Sequence, residues 1–171
     1  TFGSQLSFDV GLLFDHAPPL ARICSVVYVG LPFGLAFVYA MQRRHAERRH
    51  TDVLTAFYWV AGAGFVLYLL FPVAGPVYAY GQLYPLSPLP AEQVLQLPSV
   101  APPVPRNCVP SLHTAWGLLV WWHARPLARW ARALAAAFLG LTLLATLGFG
   151  FHYVYDLVVA FPFALTVHAL S

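Results

Sequence analysis

Five long apolar segments, separated by short polar connections, constrain this chain more than any other feature. They span residues 20–41, 53–71, 110–124, 127–149 and 151–170. A transmembrane helix needs about 20 apolar residues, and only the segment 110–124 falls clearly short of that length. We therefore expect an all-α, polytopic membrane helix bundle with about five transmembrane helices, formed as a single domain over residues 1–171.

The composition agrees with a membrane protein and excludes an ordinary soluble domain. Hydrophobic residues make up 60% of the chain and charged residues only 9%, whereas soluble domains carry roughly 25% charged residues. Residues 1–19 carry Asp9, Asp15 and His16 among apolar positions, and we expect them to form an interfacial helix. They contain no basic-then-apolar leader, and we expect no signal peptide there.

The segment 72–109 is a proline-rich loop. It holds nine of the fifteen prolines, interleaved with Tyr78, Tyr80 and Tyr84, and it cannot form one long helix. Two interpretations stay open. The loop is either a structured cap whose aromatic residues lie at headgroup level, or a stiff linker between spans.

The arginines predict the topology. Two clusters fill the first connection and the connection between the third and fourth segments; they comprise Arg43, Arg44, Arg48, Arg49, Arg125, Arg129 and Arg132. The intervening spans put both clusters on one side, which the positive-inside rule makes cytoplasmic. The loop 72–109 and the starts of the third and fifth segments are then extracytoplasmic. We expect an integral, multi-pass protein of the cell or inner membrane whose positive charge serves topology, with no nucleic-acid partner.

His152 and Asp156 lie four residues apart at the start of the last apolar segment. On a helix this spacing puts both side chains on one face, about one turn apart. A carboxylate beside a histidine fixes the tautomer of the imidazole and stabilises its cation. Because ionisable groups among lipid-facing residues are costly, the pair is a candidate for function.

The third segment opens on Pro110-Ser-Leu-His113. Ser111 is a suitable N-cap, the free N–H groups behind it favour an anion, and His113 would lie one turn below that anion. The predicted topology places His113 on the same side of the membrane as His152. Two imidazoles, a carboxylate and an anion-binding helix start favour phosphoryl transfer without a metal or another cofactor. The alternative is a pair of buried histidines that only bridge helices.

These motifs resemble those of a known family. Pro110-Ser-Leu-His113 and His152-Tyr-Val-Tyr-Asp156 are similar to the second and third motifs of the type-2 phosphatidic acid phosphatase (lipid phosphate phosphatase) superfamily. The Ser-Leu-His form and the His-Tyr pair resemble the branch that contains inositol phosphorylceramide synthase, an inositolphosphotransferase. The resemblance implies that His152 is the nucleophile, Asp156 its partner and His113 the general acid.

The sequence departs from the family pattern at the positions that usually bind the phosphate. The first motif of the family has a lysine and an Arg-Pro pair, but this chain has no lysine, and its only Arg-Pro begins at Arg125 on the predicted cytoplasmic side. The third motif has an arginine where this chain has Thr146. We expect Arg106, the only arginine of the outer loop, to bind the substrate phosphate together with Ser111. The alternative for Arg106 is a contact with lipid headgroups.

The expected function is phosphoryl or phospho-headgroup transfer on a lipid phosphate or phospholipid at the outer membrane interface. An alcohol acceptor such as inositol would make the protein a transferase. Water would make it a lipid phosphate or polyprenyl pyrophosphate phosphatase. A non-catalytic membrane scaffold is the third alternative. The two cysteines, Cys24 and Cys108, are interpreted as small apolar residues, with a disulfide between them as the alternative.

Overall fold

The computed structural model describes residues 5–44, 52–86 and 105–170, and within these ranges the fold is helical with no strand. Within the same ranges, an isolated bridge joins Val73 and Asn107. The helices in chain order are α1 (Leu6–His16), α2 (Pro18–Val29), α3 (Leu31–Arg44), α4 (Val53–Leu70), α5 (Pro76–Tyr80), α6 (Leu112–Ala124), α7 (Arg129–Gly148) and α8 (Val154–Leu170). A short 3-10 turn, Gly81–Leu83, follows α5.

Among the described residues, two helices are long and apolar enough to cross a membrane, namely α4 with 18 residues and α7 with 20. The pair α1 and α2, bent by 116°, would make a third span if both helices belong to one crossing. The expected count of five spans is therefore not confirmed. The fold is an apolar helical bundle, with α6 and α8 shorter, at 13 and 17 residues.

The first apolar segment is not one helix, because it divides at Gly30. Gly30 ends α2, and Pro32 lies in the first turn of α3. Proline is tolerated there, since the first N–H groups of a helix have no intrahelical acceptor. The first apolar segment, which was expected to form one span, thus belongs to two helices of 12 and 14 residues.

Helix α6 lies at the centre of the bundle and packs against α3, α4, α7 and α8. Nine of its 13 residues are buried, including Leu119 and Val120. By contrast, α4 directs large apolar side chains such as Trp59 and Leu69 outwards. Because α6 is enclosed by protein, it does not need the length of a lipid-facing span, which explains its 13 residues.

One end of the bundle, called here the site end, collects the starts of α6 and α8 and the ends of α4 and α7. The Tyr68 hydroxyl at the end of α4 donates to the Pro110 carbonyl just before α6, at 2.9 Å. The Ser111 N–H donates to the Asp156 carbonyl in the first turn of α8, at 3.2 Å. These two bonds tie three helices together at one level.

The opposite end, called here the distal end, carries the arginines that flank α3, α6 and α7. Gln42, near the end of α3, bonds through its amide nitrogen to Nδ1 of His123, near the end of α6, at 2.9 Å. The start of α4 joins them, because the Val53 N–H donates to the Gln42 amide oxygen at 3.2 Å. The described arginines of both predicted clusters thus belong to one end, while Arg48 and Arg49 lie outside the described residues. Which side of a membrane this end faces stays a prediction.

The described parts of the loop 72–109 fold onto the turn between α7 and α8. The Val77 N–H donates to the Gly150 carbonyl at 2.8 Å, and the Cys108 N–H donates to the Val73 carbonyl at 3.0 Å. Residues 72–86 and 105–109 are thus a structured part of the site end. The middle of the loop, 87–104, lies outside the described residues.

Candidate active site

His152 lies in the turn between α7 and α8, and its backbone N–H donates to the Thr146 carbonyl at 3.2 Å. Its side chain is buried, with 4% of the residue exposed. Since α8 begins only at Val154, the prediction that His152 and Asp156 share a helical face is wrong. The pair is nevertheless close, with Nδ1 of His152 3.6 Å from Oδ2 of Asp156.

Asp156 lies in the first turn of α8, where a carboxylate interacts favourably with the helix start. Its Oδ2 accepts the backbone N–H of Tyr153 at 2.7 Å, while its own N–H donates to the Tyr153 carbonyl at 3.1 Å. The bond from the Tyr153 N–H to the Asp156 side chain is one half of a capping box, in which the third helical residue accepts the N–H of the N-cap residue. The carboxylate is 2% exposed and is fixed before any substrate arrives.

The tautomer of His152 is set by a backbone carbonyl. Nδ1 of His152 lies 2.8 Å from the carbonyl oxygen of Cys108. Because a carbonyl can only accept, Nδ1 carries the hydrogen and Nε2 keeps its lone pair. Nε2 is therefore the nitrogen that can attack phosphorus. Asp156, expected to fix the tautomer directly, stands at ion-pair distance behind it.

Cys108 is the site residue that the sequence analysis missed. Its thiol donates to Oδ2 of Asp156 at 2.7 Å, and its sulfur also lies 3.3 Å from the Phe151 carbonyl. Both cysteines are free and buried. Desolvation by burial raises the pKa of the Cys108 thiol, and the hydrogen bond to Asp156 raises it further. The one available signal was its position two residues before Pro110.

His113 is the second residue of α6. Its ring stacks on Tyr28, with centroids 3.8 Å apart and planes 12° apart, and it meets the edge of Trp116 at 5.5 Å. Tyr28 also contacts Phe151, the neighbour of His152. The structure therefore places His113 at the same end of the bundle as the close pair His152 and Asp156.

Ser111 is the N-cap of α6, as predicted, and its Oγ accepts the Thr114 N–H at 3.4 Å. It is fully buried. Arg106 is exposed on the segment that leads to Cys108. The binding of phosphate by Ser111 and Arg106 stays a prediction.

The only Arg-Pro pair of the chain is remote from these residues. Arg125 caps the end of α6 and its guanidinium lies 4.3 Å from the ring centre of Trp121. It follows His113 by twelve residues, a rise of about 18 Å along the helix. Arg125 therefore cannot replace the usual phosphate-binding arginine.

An apolar cavity of about 490 Å³ begins beside His113. It extends between α3 and α4, and its wall is almost entirely apolar or aromatic. The lining residues are Tyr28, Val29, Leu31, Pro32, Leu35, Ala36, Tyr39, Leu54, Phe57, Tyr58, His113 and Trp116. A histidine at the edge of an apolar cavity suits a ligand with one polar and one apolar part.

The turn that carries His152 is held from the loop side by Tyr84. Its buried hydroxyl lies 2.7 Å from the Leu147 carbonyl and 2.8 Å from the Ser7 carbonyl. Gly150 has a positive φ of 68°, and a Cβ there would lie 2.7 Å from the Tyr84 ring. Glycine is thus required at position 150 by backbone conformation and by space.

The ligand atoms of Cys108, His152 and Asp156 lie within 4.8 Å of one another, so this cluster could also hold a metal ion. A thiolate, an imidazole and a carboxylate form a donor set that suits zinc. In the structure, the thiol of Cys108 donates to the Asp156 carboxylate, and the His152 imidazole is bonded to the backbone carbonyl of Cys108. The expectation of metal-free chemistry therefore stays a prediction, which a chelator tests.

Comparison with known families identifies the family of the chain. The family model of the PAP2 superfamily matches residues 2–170, nearly the whole chain. No curated protein and no solved structure is significantly similar to it. The chain therefore belongs to the PAP2 superfamily, and its apolar helices agree with an integral membrane protein.

Proposed function

We propose that this PAP2-superfamily protein transfers a phosphoryl group or a phospho-headgroup of a lipid through a phosphohistidine formed at His152. The observation that carries the proposal is the position of His113. This residue stacks on Tyr28, which also contacts Phe151 beside His152, and it lines the apolar cavity. A lipid whose chain occupies the cavity would thus present its phosphate ester between the two imidazoles.

In the first step Nε2 of His152 attacks phosphorus, and an N–P bond forms while the P–O bond to the leaving group breaks. The electron pair of that bond goes to the leaving oxygen, which takes a proton from His113 as general acid. Asp156, 3.6 Å from Nδ1, stabilises the positive charge that develops on the His152 ring. In the second step His113 removes a proton from the acceptor, whose oxygen attacks phosphorus and frees His152.

The start of α6 and Arg106 are the proposed phosphate ligands. The N–H groups of the first turn of a helix, with its dipole, attract an anion, and His113 lies in that turn. Arg106 is exposed and two residues from Cys108, a position from which a guanidinium could close over the phosphate. The pair would supply the positive charge that lysine and arginine supply in the usual family motifs.

The acceptor decides whether the protein is a transferase or a phosphatase. The Ser-Leu-His113 form and the His152-Tyr pair resemble the inositolphosphotransferase branch, and this favours an alcohol such as inositol. Water as acceptor would give a lipid phosphate or polyprenyl pyrophosphate phosphatase from the same intermediate. A non-catalytic scaffold would form no intermediate at all.

The reaction is tested with the purified protein in nanodiscs, offered a panel of lipid phosphates, polyprenyl pyrophosphates and inositol phospholipids, with and without inositol. We expect an acid-labile phosphorus label on the protein and a product whose mass names the acceptor. Turnover should persist in EDTA. Loss of turnover in EDTA that returns with added divalent metal would contradict the metal-free mechanism, and no label with any donor would contradict the function itself.

The role of the cavity is tested at Ala36, which lines it from α3 and is exposed. Ala36→Trp should raise KM about tenfold or more for a long-chain lipid phosphate, because the ring fills the space that the chain would occupy. A short-chain, water-soluble phosphate should be turned over as before. Ala136→Trp, at an exposed alanine of α7 that does not line the cavity, is the control. Equal effects of Ala36→Trp on both substrates would contradict a chain-binding cavity.

The site end is proposed to face the extracytoplasmic side, on the basis of the arginines at the distal end. A cysteine placed at Gly81 should react with an impermeant thiol reagent in intact cells, and one placed at Ala46 should not. The reverse pattern would place the site on the cytoplasmic side.

A further inference from the structure

We propose that Cys108 is a positioning residue of this site, which holds both members of the His152–Asp156 pair in their reactive arrangement. The inference rests on the proposed function. It assigns a role to a side chain that lies outside both sequence motifs.

Cys108 contacts the pair through two different groups. Its backbone carbonyl accepts the Nδ1 hydrogen of His152 at 2.8 Å, and its thiol donates to Oδ2 of Asp156 at 2.7 Å. The carbonyl fixes the tautomer that leaves Nε2 free to attack. The thiol fixes the carboxylate oxygen nearest to the imidazole, which is the oxygen at 3.6 Å from Nδ1.

The thiol acts as the donor in this contact because the carboxylate oxygen of Asp156 only accepts. Cys108 is 1% exposed. A thiolate at this position would place a second negative charge beside Asp156. The Phe151 carbonyl at 3.3 Å is the weaker competitor for the single thiol hydrogen, because a charged acceptor forms the stronger bond.

The backbone of Cys108 is held independently of its side chain. Its N–H donates to the Val73 carbonyl at 3.0 Å, and the preceding residue, Asn107, forms the bridge with Val73. A substitution at position 108 therefore leaves the carbonyl that orients His152 in place. The contribution of the thiol can thus be measured separately from that of the carbonyl.

With the thiol removed, Oδ2 of Asp156 keeps only the Tyr153 N–H among these donors. The carboxylate would then turn more freely about its own side-chain bonds, and fewer molecules would hold it opposite Nδ1. This change slows the attack by His152 but does not touch the groups proposed to bind the phosphate or the lipid chain. Its effect should therefore appear in kcat and not in KM.

The experiment compares Cys108→Ala, Cys108→Val and Cys108→Ser with the control Cys24→Ala, the second buried cysteine, which lies in α2. Cys108→Ala and Cys108→Val should lower kcat about tenfold, the loss of one hydrogen bond to a charged group, with KM within about twofold of wild type. Cys108→Ser, which restores a donor, should recover most of the loss. Valine keeps most of the side-chain volume, so that a folded variant without a donor is available if alanine unfolds.

The outcomes separate this inference from the proposed function. If the wild-type protein is active and Cys108→Val has the same kcat, the role of Cys108 is overturned and the His152 mechanism is unaffected. That role is overturned equally if serine is no better than valine while all variants keep the thermal stability of wild type. Absence of the phosphohistidine in the wild-type protein would instead overturn the proposed function, and this inference with it.

Discussion

Each end of the bundle carries two histidines, but their surroundings differ. At the site end, His152 meets the Cys108 carbonyl and the Asp156 carboxylate. At the distal end, His123 bonds to the Gln42 amide, and its ring lies 4.8 Å from that of His168. The comparison of the two ends indicates which surroundings would suit histidines for the proposed phosphoryl transfer and which serve packing alone.

A carboxylate and an amide affect an imidazole differently. A carboxylate favours the cation that forms when Nε2 attacks phosphorus, whereas a neutral amide gives no comparable electrostatic support. The site end also presents the starts of α6 and α8, whose N–H groups attract an anion, while α3 and α6 end at the distal end. Burial of histidine alone is therefore a poor guide to a phosphoryl-transfer site. Whether a pair of histidines suits phosphoryl transfer depends on the neighbouring charge and on the direction of the helices.

The largest expected effect comes from removing the nucleophile. His152→Ala should abolish the labelled intermediate and lower kcat on the order of 10⁴-fold or more, since the remaining groups cannot form the N–P bond. His168→Ala is the matched control, a histidine on the same helix as Asp156 but in its last turn. It should keep kcat within a few-fold of wild type. Labelling of His152→Ala at the wild-type level would remove the assignment of the nucleophile.

His113→Ala should have an intermediate effect that depends on the leaving group. A general acid contributes about 10²–10⁴-fold, and it matters most where the leaving oxygen is a strong base. We expect a large loss with an alkyl phosphate and a small one with an aryl phosphate such as p-nitrophenyl phosphate. The measurement is the rate of label formation with each donor. Equal losses with both donors would indicate that His113 serves only to pack against Tyr28.

The sequence alone supplied the helical class, the apolar segments and the motif residues, because these depend on local composition and spacing. The sequence-based prediction was wrong where contacts between distant residues determine the structure. His152 lies in a turn that is held by Tyr84 and contains Gly150. It therefore precedes the helix, although its spacing from Asp156 is helical. Cys108 was missed for the same reason, since its partner Asp156 lies 48 residues later in the chain.

The number of spans shows a similar limit. Gly30 and Pro32 were visible as helix breakers, but apolar composition continued across them and suggested one helix. Helix α6 has the composition of a span, yet the surrounding helices enclose it. Composition reports that a residue avoids water; it does not distinguish lipid from protein as the neighbour.

The smallest of these three effects concerns Arg106, and it tests whether a cation outside the sequence motifs binds the phosphate at the site end. If the Arg106 guanidinium binds the phosphate through two N–H groups at once, Arg106→Lys should lower kcat/KM nearly as much as Arg106→Ala. The reason is that an ammonium group cannot form the planar bidentate contact. The loss in kcat/KM should be about ten- to a hundredfold, as for one charge-assisted bond.

The matched control is Arg125→Lys at the distal end, where the guanidinium stacks on Trp121. This variant should keep kcat/KM within about twofold of wild type, since no phosphate is expected there. A contact of Arg106 with lipid headgroups predicts a different pattern, in which lysine substitutes freely and the loss caused by alanine fades at high salt. Measuring kcat/KM for the three variants at low and high ionic strength therefore separates a phosphate ligand from a surface charge. A wild-type value of kcat/KM for Arg106→Lys would refute bidentate binding by Arg106 and leave the start of α6 as the proposed anion site.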